Sequence, residues 1–161
     1  MAQTKKPGDL VVRESDHPGM LEESFRHPLN PSSELRRYDL GGRAGLTRMG
    51  VSLVRVPPRR ESFAKHSHAT EEEWLFVLSG RGLVDIGDES YEIGQGDFVG
   101  FPAGTYAHHV RNPNEEELVY LCGGERSAVD VIEYPTAAKR VVRVGREITV
   151  YPAQAGEPLF P

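Results

Sequence analysis

Between Gly45 and Tyr151 the apolar residues come only in short runs, none longer than about five, with Gly and Pro punctuating the series. That punctuation leaves little room for helices of ordinary length, and it suits strands. Leu46 to Val56 alternates loosely and stops at Pro57-Pro58, which cannot continue a ladder. Lys65 to His68 and Glu73 to Leu78 follow. Gly82 to Ile86 and Ser90 to Ile93 flank Gly87-Asp88-Glu89, a hairpin with turn chemistry at its centre. Phe98 to Phe101, Ala107 to Arg111 and Glu117 to Cys122 continue the series, and Ala128 to Tyr134, Arg140 to Val144 and Glu147 to Tyr151 read as edge or accessory strands. Many short strands at close spacing predict an all-β domain, a sandwich or barrel rather than a βαβ sheet.

Residues 1–40 are different in kind. They are rich in Pro, Ser and charge, with apolar patches only at Leu10-Val11-Val12 and Met20-Leu21. Ser24 to Pro31 reads as extended because each proline restricts the residue before it, and one brief helical turn fits Ser33 to Tyr38. His17 and His27, both beside prolines, read as surface residues.

Whole-chain properties narrow the function classes. The 161 residues suffice for one core, burying roughly 70% of the unfolded surface. Net charge is −5 and basic residues occur in scattered pairs, so no stripe for nucleic acid exists. No apolar run approaches the roughly 20 residues of a membrane helix. The first residues lack a signal-peptide pattern, and the single Cys122 permits no intrachain disulfide. A cytoplasmic protein is expected.

Chemistry concentrates in two stretches. In the first, His66 and His68 stand two apart, so on a strand they share a face, and Glu73 follows after a short turn. Two imidazoles and a carboxylate can form a metal site; the same residues can equally be a surface strand beside a solvated acidic turn. The second stretch, Gly96 to Asn112, carries His108 and His109 after a Pro102-Ala103-Gly104 turn. Four of the six histidines therefore lie in these two stretches.

Together the two stretches resemble the paired motifs of the cupin superfamily. His66, His68, Glu73 and Gly80 fit the first motif, and Gly96, Pro102, Gly104, His108 and Asn112 fit the second. Two departures stand out: Arg60 occupies the place of the glycine that opens the first motif, and one extra residue separates Gly104 from the histidine. Strand parity groups His108 with Val110 and Asn112, and His109 with Ala107 and Arg111, so the fourth ligand is carried onto His108. A wider likeness, from Leu40 through Pro135, is to small stand-alone cupins of unassigned activity.

The resemblance implies a jelly-roll barrel at 41–161 with accessory C-terminal strands, preceded by an extended arm at 1–40. It implies one divalent ion (Fe, Mn, Ni, Zn or Co) on His66, His68, Glu73 and His108, and no organic cofactor. The expected function is a small metal-dependent enzyme, dioxygenase-like or isomerase-like, acting on a small polar molecule. The alternative is a non-catalytic binding or sensing cupin. Tyr106 and Asn112 are the candidates for a direct catalytic role, although Asn112 can equally support a turn. Glu71 and Glu72 are either supporting groups or solvated. Trp74, Phe76 and Tyr120 read as core or interface residues, and Cys122 as a buried, inert thiol. The arm and the open sheet edges suggest a homodimer.

Overall fold

The computed structural model describes residues 5–16 and 24–157; His17, Met20 and Leu21 lie outside them. Fourteen strands follow in order: β1 Ser24–Phe25, β2 Leu35–Asp39, β3 Met49–Val56, β4 Arg60–Glu61, β5 Ser67–His68, β6 Glu73–Ser79, β7 Arg81–Ile86, β8 Glu89–Gly94, β9 Phe98–Phe101, β10 His108–Asn112, β11 Leu118–Glu125, β12 Val129–Tyr134, β13 Lys139–Val144 and β14 Glu147–Pro152. One short helix, α1 Leu40–Ala44, sits between β2 and β3. The helical turn expected at Ser33 to Tyr38 is instead the strand β2, because its backbone pairs with β3 on one side, Arg36 to Asp39 opposite Arg55 to Ser52, and with β1 on the other. The helix starts where the Asp39 carboxylate accepts the Gly42 N–H at 2.9 Å, and it ends at Gly45 with φ of +90°.

The strands form three antiparallel sheets, ordered β1-β2-β3-β11-β6-β9, β4-β10-β7-β8 and β14-β13-β12-β5. The first two face each other across one core. Leu35, Val54, Val56, Leu75, Val77, Leu118 and Tyr120 come from the six-stranded sheet, and Val84, Ile93 and Val110 from the four-stranded one. Each fully buried aliphatic side chain contributes on the order of 1.5–3 kcal/mol. The result is a jelly-roll barrel. Gly80 makes the sharp β6–β7 turn possible: its φ is +80°, and a Cβ there would sit 2.3 Å from the Glu117 carbonyl oxygen.

The part of the N-terminal segment described here packs on its own barrel. Ser24 and Phe25 pair with Arg36 and Leu35, and Phe25 packs against Phe63 with ring centroids 5.4 Å apart. The C-terminal strands reach back to the first motif through β12, where Ile132 pairs with His68. Among the described residues, no helix is long and apolar enough to cross a membrane.

Candidate metal centre

Backbone pairing brings the two histidine stretches together. His66 and His108 form an antiparallel bridge, each donating its N–H to the other's carbonyl at 3.1 and 2.8 Å. The His68 carbonyl accepts the Gly104 N–H at 2.7 Å, which ties β5 to the Pro-Ala-Gly turn. Glu73 opens β6 on the facing sheet. The Nε2 atoms of His66, His68 and His108 stand 3.4, 3.3 and 3.1 Å from one oxygen, Glu73 Oε2.

The other ring nitrogen explains why these faces point inward. Each Nδ1 faces an acceptor: the Ala64 carbonyl at 2.7 Å for His66, the Asp130 carboxylate at 2.5 Å for His68, and the Tyr106 carbonyl at 3.4 Å for His108. Carbonyl and carboxylate oxygens only accept, so the Nδ1 atoms donate and the Nε2 lone pairs are left facing the carboxylate. Three lone pairs aimed at an anion repel it unless a proton or a metal ion lies between them. Metal–ligand bonds of about 2.1 Å put neighbouring ligand atoms roughly 3.0–3.4 Å apart, which the observed spacings match. The donor set therefore fits a divalent ion.

Without an ion, the carboxylate and the imidazoles hold one another by charge, and a metal ion has to displace the His68 proton. Burial opposes ionisation of Glu73, but hydrogen bonds from His108, His66 and His68 hold its carboxyl well below the usual range. Burial also opposes the charged form of His68, yet hydrogen bonds and charge from Glu73 and Asp130 push it up to about 9. His108 moves down, chiefly through burial. Its ring lies flat on Phe101, with centroids 3.7 Å apart.

Around this cluster opens a cavity of about 410 Å³. Phe63, His27 and Tyr134 form one wall. The Tyr134 ring stacks on His66 at 5.7 Å and meets His27 at 5.3 Å. Burial pushes the Tyr134 phenol up to about 12, and the Cys122 thiol likewise up to about 12. A larger hollow of about 910 Å³ lies at the far end of β6, around Arg81, Glu92 and Asp97, and none of the converging histidines lines it.

The other residues singled out in the sequence fall in different places. Tyr106 is not in the cavity: it is 70% exposed, with its ring against Gly87. Asn112 is fully buried but directs its amide N–H groups to the carbonyls of Val56, Pro57 and Glu116, so it closes a turn and does not reach the cavity. His27 is a cavity wall residue and not a surface one. His109 faces away from the cluster, with Nε2 3.5 Å from Glu61 and Nδ1 3.4 Å from Asp85. Glu71 is buried and accepts from Arg143 and from the Ser127 N–H at 2.5 Å, whereas Glu72 is exposed. Phe76 is exposed on the outer face.

Asp130 was missed by sequence reasoning. It is fully buried, bonds His68, and accepts from the Thr70 N–H and hydroxyl at 3.0 and 2.9 Å. It lies outside both motifs, in a strand where an acid between two valines is the one available signal.

The cupin-domain sequence model matches residues 52–124. A putative sugar phosphate isomerase from Acidithiobacillus ferrooxidans is similar in structure over 97% of this chain and 100% of its own, with 35% identity and a TM-score of 0.90. The chain belongs to the cupin superfamily. This cupin is also similar to a sugar phosphate isomerase of that superfamily from Silicibacter pomeroyi, with 25% identity over 84% of this chain and 87% of that one and a TM-score of 0.75. An uncharacterized protein of Methanocaldococcus jannaschii is 37% identical over 57 residues, and this cupin spans 45% of that protein's length.

Proposed function

We propose that this cupin is a metal-dependent isomerase of a small phosphorylated sugar, with His66, His68, Glu73 and His108 holding the ion. The observation that carries the metal half is the convergence of three Nε2 atoms on Glu73 Oε2. The substrate class is supported by the end-to-end likeness to the Acidithiobacillus protein. A bound divalent ion would supply Lewis-acid polarisation of a carbonyl or hydroxyl.

The chain's own groups would do the rest. Glu73 stays ionised and sets the charge at the centre. Asp130 fixes the His68 ring through Nδ1. Tyr134 keeps its phenolic proton and can donate a hydrogen bond from Oη to a substrate oxygen. Phe63, His27 and Tyr134 shield the centre from bulk water.

One observation favours the second reading, a metal-dependent binding or sensing cupin. Isomerisation moves a proton between neighbouring carbons and needs a base. Glu71 is held by Arg143, and Cys122 and Tyr134 keep their protons. The deciding experiment loads the apo-protein with Fe(II), Mn(II), Ni(II), Co(II) or Zn(II) and follows deuterium exchange from solvent into aldose and ketose phosphates. Exchange that depends on metal and disappears in His66→Ala is expected. Exchange surviving that substitution would remove the metal mechanism, and tight binding without exchange under every metal would favour the binding module.

A further inference from the structure

Strand register sorts the inner face of the six-stranded sheet into rows. Glu73, Gly124 and Gly50 stand opposite one another, nearest the histidines. The next row holds Leu75, Cys122, Ser52 and Asp39, and the one after it Val77, Tyr120, Val54 and Arg37. Val77, Tyr120 and Val54 are buried core residues, so a guanidinium in their row needs a reason. The Arg37 Nε donates to the Ser52 hydroxyl at 2.9 Å. That bond turns the side chain back from its own row toward the cavity, which it lines. Among the described residues no carboxylate pairs with it, and its terminal nitrogens are left free to donate.

A second guanidinium arrives at the same end. Arg126 lies over Gly50, its Nε 3.4 Å from where a Cβ would stand. Its Nη2 is 3.5 Å from Asp39 Oδ1, an oxygen already accepting the Gly42 N–H. Arg126 thus has one partly committed carboxylate beside it, and Arg37 has none among the described residues. The other cavity arginine, Arg143, is neutralised by the buried Glu71. Cys122 lies between the two ends, since its thiol feels both the positive charge of Arg37 and the negative charge of Glu73.

The floor between those ends is bare backbone. Gly124 and Gly50 separate Glu73 from Arg126, and the two strand spacings from β6 to β3 amount to roughly 10 Å. A small sugar can lie along that floor with an anionic end on the arginines. Guanidinium forks suit phosphate because two parallel N–H groups meet two oxygens.

We propose that Arg37 and Arg126 form an anion subsite for the phosphate of a small phosphorylated ligand whose other end reaches the histidine–Glu73 cluster. The ligand's placement rests on the function proposed above, whereas the anion subsite itself does not depend on a bound metal.

Calorimetric titration of the full chain with inorganic phosphate, with a ketohexose 6-phosphate and with the same ketohexose lacking phosphate tests this. The phosphorylated sugar should bind about tenfold or more tightly than the free sugar, and Arg37→Gln and Arg126→Gln should each weaken phosphate binding by about tenfold. Metal content should stay unchanged in both variants, and Arg37→Lys should recover part of the loss. Because Arg126 lies outside every strand, its variant gives the same reading should Arg37→Gln misfold. His66→Ala should leave phosphate affinity within about twofold, so a failed metal centre and a failed anion subsite give different patterns. Absence of phosphate binding to the wild type at millimolar concentration, or equal binding in wild type and the double arginine variant, would overturn the subsite.

Discussion

The two ends of the six-stranded sheet are built from the same strands and do opposite work. At one end β2, β3 and β11 present Leu35, Val56 and Leu118, all with no exposed surface. At the other, β6, β11 and β3 present Glu73, Gly124 and Gly50. Moving about six residues along a strand exchanges close-packed aliphatics for a carboxylate beside bare backbone. The closed end supplies the rigidity on which the open end depends. An open end lined by lone pairs and glycine is tolerable only because the sheet beneath it does not move.

Five substitutions test this division. The largest effect is expected at the open end. His108→Ala should lower metal content from about one ion per chain to under about a tenth by elemental analysis, whereas His109→Ala should leave it intact. Loss of the ion in His109→Ala alone would reverse the assignment of the two neighbours.

At the closed end, Leu118→Ala should cost about 2–5 kcal/mol in urea unfolding while keeping metal content. A metal loss of the same size as in His108→Ala would show that the two ends are not separable. Asn112→Ala removes the donor for the Val56, Pro57 and Glu116 carbonyls. It should cost about 1–3 kcal/mol with little change in any turnover of folded protein. A large turnover loss at full stability would restore Asn112 as a catalytic residue.

The smallest effect concerns acid stability in the β4-β10-β7-β8 sheet. The Arg111 guanidinium, bonded to Asp85 at 2.6 and 2.8 Å, holds the Asp85 carboxyl at about 2 against an ordinary value of 3.8. A depressed carboxylate stabilises the fold above its unfolded value and loses that contribution as pH falls toward the folded one. Wild-type stability should therefore decline between about pH 4 and pH 2, and Asp85→Asn should flatten that limb without changing metal content. An unchanged acid limb would show that the Arg111 pair contributes nothing in solution.

Parts of this were legible before any coordinates. Gly and Pro punctuation marks strand ends, since both act on the local backbone, and all eleven of the expected strands appear within a few residues of their predicted limits. The separation of His108 from His109 follows from the two-residue period of a strand alone, and the two side chains do point to different neighbours. Asn112 illustrates the limit. Its place in a motif suggested either cavity or turn, and only the positions of three carbonyls from two other segments distinguish them. Tyr106 sits beside a cavity residue in sequence but on the outside of a turn in space.

Sequence by itself determined the class of fold, the two histidine stretches and the side of the strand each histidine occupies, because these depend on local backbone periodicity. Tertiary structure decided which acceptor faces each Nδ1, that Asp130 stands behind His68, that Glu71 is held by Arg143, and that Arg37 and Arg126 line the cavity that Glu73 and the histidines also line. Those facts come from residues up to 90 positions apart, Arg37 and Arg126 being 89. No periodicity in the chain connects them; strand pairing does, in β2, β3, β11 and β6 for the arginines and in β5, β12 and β13 for Asp130 and Arg143.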